Sequence, residues 1–379
     1  MEARTLLESI MPTREMVDHF VDGERAARAA PIDLGGIMCN NALSTFDPEL
    51  GWVLTDGVRS DGVDGSWTFY SYEPDGARRV ANFPDRPSRI HTYGNSYTHC
   101  DQVSDGETWQ EFLAAHFQEP IRNFGVGGYS VYQAYRRMLR VEAVSPAEYI
   151  ILNIWDDDHY RNLDAWRSIR ARRPGRFTLP HLRVNPRAES CIEIENPCTT
   201  AEEIYRLCDP DWVWENFKED PILLGILAKE SSRSSGLNEK QDSAQRANAG
   251  ADARVYQLYP EAALFATRHV ISLIEKFAQA QNKKLMLMLS FSRKSIASAL
   301  RDEPLFDQNL LDWLQEKDYP VVDIRDAFRE DFSCSRLGIG EYLEKYYNGH
   351  HSPAGNYFFA WAIKDSLCNW LDPAPLPYR

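Results

Sequence analysis

The chain has 379 residues, of which 43% are hydrophobic and 26% are charged, as in a globular protein with one large core or two domains. The formal net charge of -14 disfavours nucleic acid as a partner, because an acidic surface repels phosphate backbones. No apolar run reaches the roughly 18–20 residues that span a bilayer, and the charged N-terminus has no signal-peptide core. We therefore expect a cytoplasmic protein without a membrane partner, or a secreted or periplasmic one if a leader was trimmed.

The first 88 residues are predicted to form a small region of helix and β-structure. Residues 4–29 have apolar side chains at a spacing of three to four, which predicts a helix. Residues 31–88 contain short runs such as GWVLTDG and SWTFYSYEPDG, separated by Gly, Asp and Pro, which predict hairpins.

From residue 89 to residue 379, apolar strands alternate with amphipathic helices. The predicted strands are RIHTYG, IRNFG, AEYIILNIW, KLMLMLSF and YPVVDI. This alternation predicts an α/β domain with a central parallel sheet covered by helices on both faces. Residues 163–255 interrupt the pattern and are predicted to be a helical and irregular insertion. Its polar tract, AKESSRSSGLNEKQDSAQRANAGADAR, is predicted to be a mobile lid or a disordered loop.

Two predicted strands are followed by loops that suit nucleophilic catalysis. In YGNSY, Ser96 lies between a strand and a helix, where backbone N–H groups and a helix dipole are available. In NFGVGGYS, glycines 125, 127 and 128 leave the backbone accessible, so that an N–H group can face a developing oxyanion. A dinucleotide site is excluded, because these glycines do not have the GxGxxG spacing.

Two further loops carry carboxylates and histidines. NIWDDDHYRN places Asp156, Asp157 and Asp158 directly after the most apolar strand. A metal site with His159 is conceivable, but the carboxylates of successive residues on an extended loop point in different directions, so we expect no metal. GHHSPAGN places His350 and His351 before the last helix, and a histidine is the natural base for a serine hydroxyl.

Taken in order, the four loops resemble the sequence blocks of the SGNH, or GDSL-type, hydrolase family. The resemblance covers roughly residues 89–162 and 262–370, and FDPELGW resembles a β-rich leader found before this domain in bacterial proteins that act on glycans. It implies a flavodoxin-like three-layer α/β/α fold, ester hydrolysis or acyl transfer, and no cofactor. Ser96 would be the nucleophile, and Gly128 in the block that starts at Asn123 would belong to the oxyanion hole.

The sequence departs from this family pattern at several places. Asn95 replaces the family's Asp before the serine, and Asp156 or Asp157 replaces the oxyanion Asn, with Asp158 beside them. The acid that orients the histidine falls at Tyr347 or Asn348. The spacing to Gly355 favours His350 as the base, with His351 as the alternative.

Three functions are therefore compatible with the sequence. The leading hypothesis is a serine esterase that removes acetyl or similar groups from a small-molecule or oligosaccharide substrate. The second is an enzyme of the same fold that uses the carboxylates of residues 156–158 on a glycosidic or other non-ester bond. The third is a non-catalytic glycan-binding protein. The oligomeric state is not predicted.

Overall fold

The computed structural model describes residues 2–21, 32–33, 38–39, 44–185, 190–234 and 260–379. The predicted lid lies mostly outside these residues, as do residues 22–29 of the predicted first helix. Within the described residues that helix is two helices, separated at residues 10–13. No helix in these ranges combines the length and apolar character needed to cross a bilayer.

The strands and helices follow the predicted alternation from residue 89 onward. The strands are β1 (Ile32–Asp33), β2 (Met38–Cys39), β3 (Ser44–Asp47), β4 (Gly51–Leu54), β5 (Gly57–Arg59), β6 (Thr68–Tyr70), β7 (Ile90–Gly94), β8 (Ile121–Asn123), β9 (Tyr149–Trp155), β10 (His181–Asn185), β11 (Ser190–Ile194), β12 (Lys284–Ser290), β13 (Val321–Asp323), β14 (Tyr347–Asn348) and β15 (His350–His351). The helices are α1 (Ala3–Ser9), α2 (Arg14–Val21), α3 (Ser96–His99), α4 (Trp109–Phe117), α5 (Val131–Val144), α6 (Asp158–Arg161), α7 (Ser168–Ala171), α8 (Pro210–Phe217), α9 (Pro221–Ser234), α10 (Pro260–Ala280), α11 (Arg293–Ala299), α12 (Gln308–Leu314), α13 (Ile324–Ser333), α14 (Ile339–Glu344) and α15 (Pro353–Trp370).

The chain divides into two compact units. One consists of Met1–Ala29, Ser44–Val53 and Tyr160–Ala266, and the other of Ala30–Leu43, Leu54–His159 and Thr267–Arg379. The predicted boundary after residue 88 does not coincide with this division, since residues 54–88 belong to the same unit as the central sheet.

The larger unit is built on a five-stranded parallel sheet with the order β13-β12-β9-β7-β8. Numbered along the chain, this is the order 2-1-3-4-5 of flavodoxin-like folds. The strands β9 and β12 are almost entirely buried, as expected when helices cover both faces of a parallel sheet. The predicted α/β fold with a central parallel sheet is therefore confirmed.

Successive side chains of β7 face different helices. His91 and Tyr93 both contact Glu142 of α5, whereas the hydroxyl of Thr92 accepts a hydrogen bond from Gln110 of α4. The two helices thus lie on opposite faces of the sheet. The chain leaves β7 toward β8 and then returns to β9 on the other side, so the sheet has its topological switch point between β7 and β9. Ligands of such sheets bind beside this point, at the carboxyl ends of the strands.

The smaller unit has its own apolar core and a two-stranded antiparallel sheet of β10 and β11. The ring of Phe20 packs against those of Phe46 and Phe177, at centroid distances of 6.2 and 4.7 Å. Asp164 is fully buried and pairs with Arg167 and Arg170, so its negative charge is balanced inside the unit.

Candidate active site

Ser96 is the first residue of α3, directly after the turn that ends β7. Asn95 caps this helix, because its side-chain oxygen accepts the backbone N–H of Tyr97 at 2.8 Å. Ser96 itself is only 2% exposed. The serine thus occupies a strand-to-helix turn at the switch point of the sheet, as the sequence predicted for a nucleophile.

His350 lies in hydrogen-bond contact with this serine. It belongs to the short hairpin of β14 and β15, in which it faces Asn348 across the turn at Gly349. The Nε2 atom of His350 lies 3.0 Å from the Oγ atom of Ser96. A histidine at this distance can accept the proton of the hydroxyl as the oxygen attacks.

His351, the alternative base, points elsewhere. Its ring lies among those of Tyr97, Tyr347 and Phe359, at centroid distances of 4.9, 5.0 and 5.5 Å. Burial, together with the charge of His350, lowers the pKa of His351 to about 3. Adjacent residues of a strand point to opposite sides, which explains why only one of the two histidines contacts Ser96.

The other ring nitrogen of His350 contacts Gln102, a residue that the sequence analysis did not select. The Oε1 atom of Gln102 lies 2.9 Å from Nδ1 of His350 and 2.7 Å from its backbone nitrogen. This differs from the expectation that Tyr347 or Asn348 would occupy the position, and the Tyr347 hydroxyl instead donates to the carbonyl of Phe291. A neutral glutamine has no sequence signature of its own, so only the three-dimensional contact identifies it.

The glycine loop after β8 packs tightly against α3. A Cβ atom on Gly125 would lie 2.3 Å from the backbone nitrogen of His99, so only glycine fits there without displacement. Gly128 has a φ of +85° and is partly exposed. Asn123 shapes the loop by accepting the N–H of Gly125 and donating to the carbonyl of His99.

The three aspartates after β9 have separate surroundings. Asp158 is buried and accepts hydrogen bonds from the Asn95 side chain at 2.7 Å and from the backbone of Trp155 at 3.0 Å. It therefore links the loops that follow β7 and β9, and the amide of Asn95 faces this carboxylate. Asp157 is buried, and its negative charge favours the protonated form of His159.

Asp156 lies beside the end of β12. Its carboxylate accepts hydrogen bonds from the backbone of Ser292 at 3.2 Å and from the hydroxyl of Ser295 at 2.5 Å. Burial raises the pKa of Asp156 to about 6. The described parts of the chain contain no group of three or more His, Cys, Asp or Glu side chains placed to hold a metal ion.

A second charged group adjoins the glycine loop. Asp101 contacts Nδ1 of His99, whose Nε2 lies 2.7 Å from the Tyr72 hydroxyl. Burial disfavours the charged form of Asp101, but the interactions with His99, His350 and Arg59 outweigh it and lower the pKa to about 2. The Asp101 carboxylate is therefore ionised at neutral pH, and a Cβ on Gly127 would lie 2.9 Å from it.

Comparisons with known proteins add little to this geometry. No protein-family model and no curated protein matches the chain. Fifteen chains of solved structures match, among them one from Desulfitobacterium hafniense DCB-2 that is described as a lipolytic protein of the G-D-S-L family. It is 11% identical, with a TM-score of 0.36, and the match covers 73% of this chain and 98% of that one. A similarity this low carries no argument about chemistry, so the chemistry of the site is inferred from its own side chains.

Proposed function

We propose that the protein is a serine hydrolase of the SGNH type that cleaves ester bonds. The observation that carries the proposal is the 3.0 Å contact between Ser96 Oγ and His350 Nε2 at the carboxyl end of a parallel sheet. A serine hydroxyl is a weak nucleophile alone, and an adjacent imidazole activates it by accepting its proton.

The reaction would proceed in two steps. Ser96 Oγ attacks the acyl carbon while its proton moves to His350 Nε2, and this proton then leaves with the alcohol. In the second step water attacks the acyl-serine and gives a proton to His350 Nε2. This proton passes to Ser96 Oγ as the bond between Oγ and the acyl carbon breaks, and the acid is released. The backbone N–H groups of Ser96 and Gly128 are the candidate donors to the oxyanion. Ser96 begins a helix, whose first N–H groups have no partner within it, and Gly128 has no Cβ to keep a substrate from its backbone.

The substrate class that we favour is an O-acylated carbohydrate or a similar small ester. The hairpin of β5 and β6 contacts Gln102 through Asp61 and Tyr70, and it exposes Trp67 and Phe69, which are 42% and 40% accessible. Exposed aromatic rings can pack against the apolar face of a sugar and still leave its hydroxyl groups in water. These rings support the assignment of a glycan ester over a long acyl chain.

Labelling with a fluorophosphonate tests the nucleophile directly. We expect one covalent adduct on Ser96 in the wild type, none in Ser96→Ala, and an unchanged adduct in Ser60→Ala, which alters an exposed serine. With 4-nitrophenyl acetate, Ser96→Ala should lose activity by at least about a thousandfold. Equal acetate release by the wild type and Ser96→Ala would contradict the proposal.

The alternative function, which uses the carboxylates of residues 156–158, predicts that an aspartate variant loses more activity than Ser96→Ala. Asp158 is buried against Asn95 and Trp155, and Asp156 is engaged by two serines, so neither is placed as a free acid and base pair. We therefore expect Asp156→Asn to retain most of the esterase activity. A larger loss in Asp156→Asn than in Ser96→Ala would favour the alternative. Release of acetate from acetylated xylo-oligosaccharides, compared with that from 4-nitrophenyl octanoate, tests the substrate class.

A further inference from the structure

We propose that Gln102 is the positioning residue for His350, in place of the carboxylate that usually holds a catalytic histidine. The inference rests on the proposed roles of Ser96 and His350. The side-chain carbonyl of Gln102 fixes the imidazole of His350 in the tautomer that carries its proton on Nδ1. Nε2 then has a lone pair that can accept the proton of Ser96.

The hydrogen bonds at both ends of the amide determine which atom of Gln102 faces the histidine. The backbone N–H of His350 can only donate, so the atom 2.7 Å from it must be the oxygen. At the other end, the carbonyl of Asp61 can only accept, so the atom 3.0 Å from it must be the NH₂ group. The orientation of the amide is therefore set independently by two backbone groups.

This orientation determines the tautomer of His350. The ring nitrogen Nδ1 lies 2.9 Å from the same oxygen of Gln102, which has no proton to donate. Nδ1 must then carry the proton, and the unprotonated nitrogen of the neutral ring is Nε2, which faces Ser96 at 3.0 Å. This is the form that a general base needs, and it is obtained without a carboxylate.

The backbone around Gln102 is shaped for this contact. Gln102 has a φ of +73°, and its N–H donates to the hydroxyl of Tyr70 at 2.8 Å. On the histidine side, Gly349 has a φ of +81°, and a Cβ there would lie 2.6 Å from the Oε1 atom of Gln102. A glycine at the hairpin turn thus leaves room for the glutamine oxygen.

An amide oxygen sets the tautomer but contributes no charge to stabilise the imidazolium that forms during the reaction. The ionisable groups around His350 are Asp101 in the loop after α3, whose charge acts on it, Tyr97 on α3 and His351 on its own strand. A carboxylate introduced at position 102 would add a negative charge directly at Nδ1. It should raise the pKa of the base, because a nearby negative charge favours the protonated imidazole.

The tautomer of His350 can be measured independently of enzymatic activity. In ¹⁵N-labelled protein, with the resonances of His350 assigned through His350→Gln, we expect a protonated Nδ1 and an unprotonated Nε2 near pH 8. In Gln102→Leu, a population protonated on Nε2 should appear. A wild-type His350 protonated on Nε2 would overturn the inference.

Kinetics separate positioning from mere structural support. Gln102→Leu and Gln102→Glu both lose the donor to Asp61, but only glutamate keeps an acceptor for Nδ1–H. We expect kcat/KM to fall at least about tenfold in Gln102→Leu. In Gln102→Glu we expect activity to be retained, with the base limb of its pH profile displaced upward. Gln281→Leu, at an exposed glutamine, should match the wild type.

Equal losses in the leucine and glutamate variants, with the pH limb unmoved, would show that Gln102 only supports the loop. This result is distinct from a failure of the proposed function, which would appear as the absence of a fluorophosphonate adduct on Ser96 in the wild type. In that case the tautomer of His350 would still be read from the spectrum.

Discussion

The two adjacent histidines of the last hairpin show how strongly the surroundings decide the chemistry of a side chain. His350 has a hydrogen-bond partner on each ring nitrogen. His351 is 2% exposed, and neither of its ring nitrogens has a hydrogen-bond partner among the described residues. Placing a positive charge on His351 is therefore unfavourable in the folded protein.

This burial predicts a specific dependence of stability on pH. The pKa of His351 is about 3 when folded, below its ordinary value near 6.5, so between these values the unfolded chain binds the extra proton. The free energy of unfolding should then fall with decreasing pH in this window, by up to about 1.4 kcal/mol per pH unit from this residue. In His351→Leu this contribution disappears. The free energy of unfolding of the variant, relative to that of the wild type, should therefore rise as the pH is lowered from 6 to 4.

Urea denaturation at several pH values measures the difference. His116→Gln, which changes an exposed histidine, serves as the control and should follow the wild-type curve. Parallel curves for His351→Leu and the wild type would contradict the prediction.

At the scale of single residues, the sequence identified the nucleophile candidate and the histidine that contacts it, because both lie in loops with distinctive neighbours. It could not identify Gln102, since a neutral amide has no characteristic pattern. It also left the individual directions of Asp156 and Asp158 open. Their partners, Ser295 and Asn95, come from distant parts of the chain.

The elements of the larger unit were predictable because parallel strands are long apolar runs and the helices are amphipathic. The strand order and the switch point follow from pairings between segments far apart in the chain, which no local pattern contains. The hairpin that presents His350 has two residues in each strand, too few to show an alternating pattern.

The contact between the glycine loop and α3 gives a prediction about these two elements. In Gly125→Ala, the added methyl group would meet the backbone of His99 and Thr98, which cannot move aside as a flexible side chain can. We expect a loss of stability of about 1–3 kcal/mol and lower esterase activity, because Ser96 begins the same helix. Thermal denaturation and the 4-nitrophenyl acetate assay measure the two effects.

Gly106→Ala is the matched control, since a Cβ at Gly106 has no atom within 4 Å. It should change neither stability nor activity appreciably. A Gly125→Ala variant as stable and active as Gly106→Ala would show that the loop can separate from α3 without consequence.

At the scale of the whole molecule, the sheet-bearing unit extends further toward the N-terminus than the sequence indicated. The change from hairpins to strand and helix alternation placed a boundary after residue 88. The structure instead connects residues 54–88 to the loop between α3 and α4 through Asp61, Tyr70 and Arg78. Each of these contacts joins a side chain to a backbone group, and composition does not reveal them.

Arg78 is the centre of this connection. Its guanidinium is 1% exposed and donates to the carbonyls of His99 at 2.6 Å, Cys100 at 2.7 Å and Val103. It also pairs with Asp105 at 2.9 Å. One buried arginine therefore binds three carbonyls and one carboxylate at the loop between α3 and α4, which carries Gln102.

Replacing this arginine should weaken both the fold and the site. In Arg78→Met, three buried carbonyls and one carboxylate lose their donor, which we expect to cost about 3 kcal/mol or more in the free energy of unfolding. Arg79→Met, at the exposed neighbouring residue, should change stability by no more than about 0.5 kcal/mol. Urea denaturation compares the two variants, and hydrogen exchange of residues 99–105 locates the effect. Among the described residues of segment 54–88, only the Arg78 guanidinium binds three carbonyls of residues 99–103. If the two variants were equally stable and equally protected there, segment 54–88 would not hold the loop between α3 and α4 as we infer.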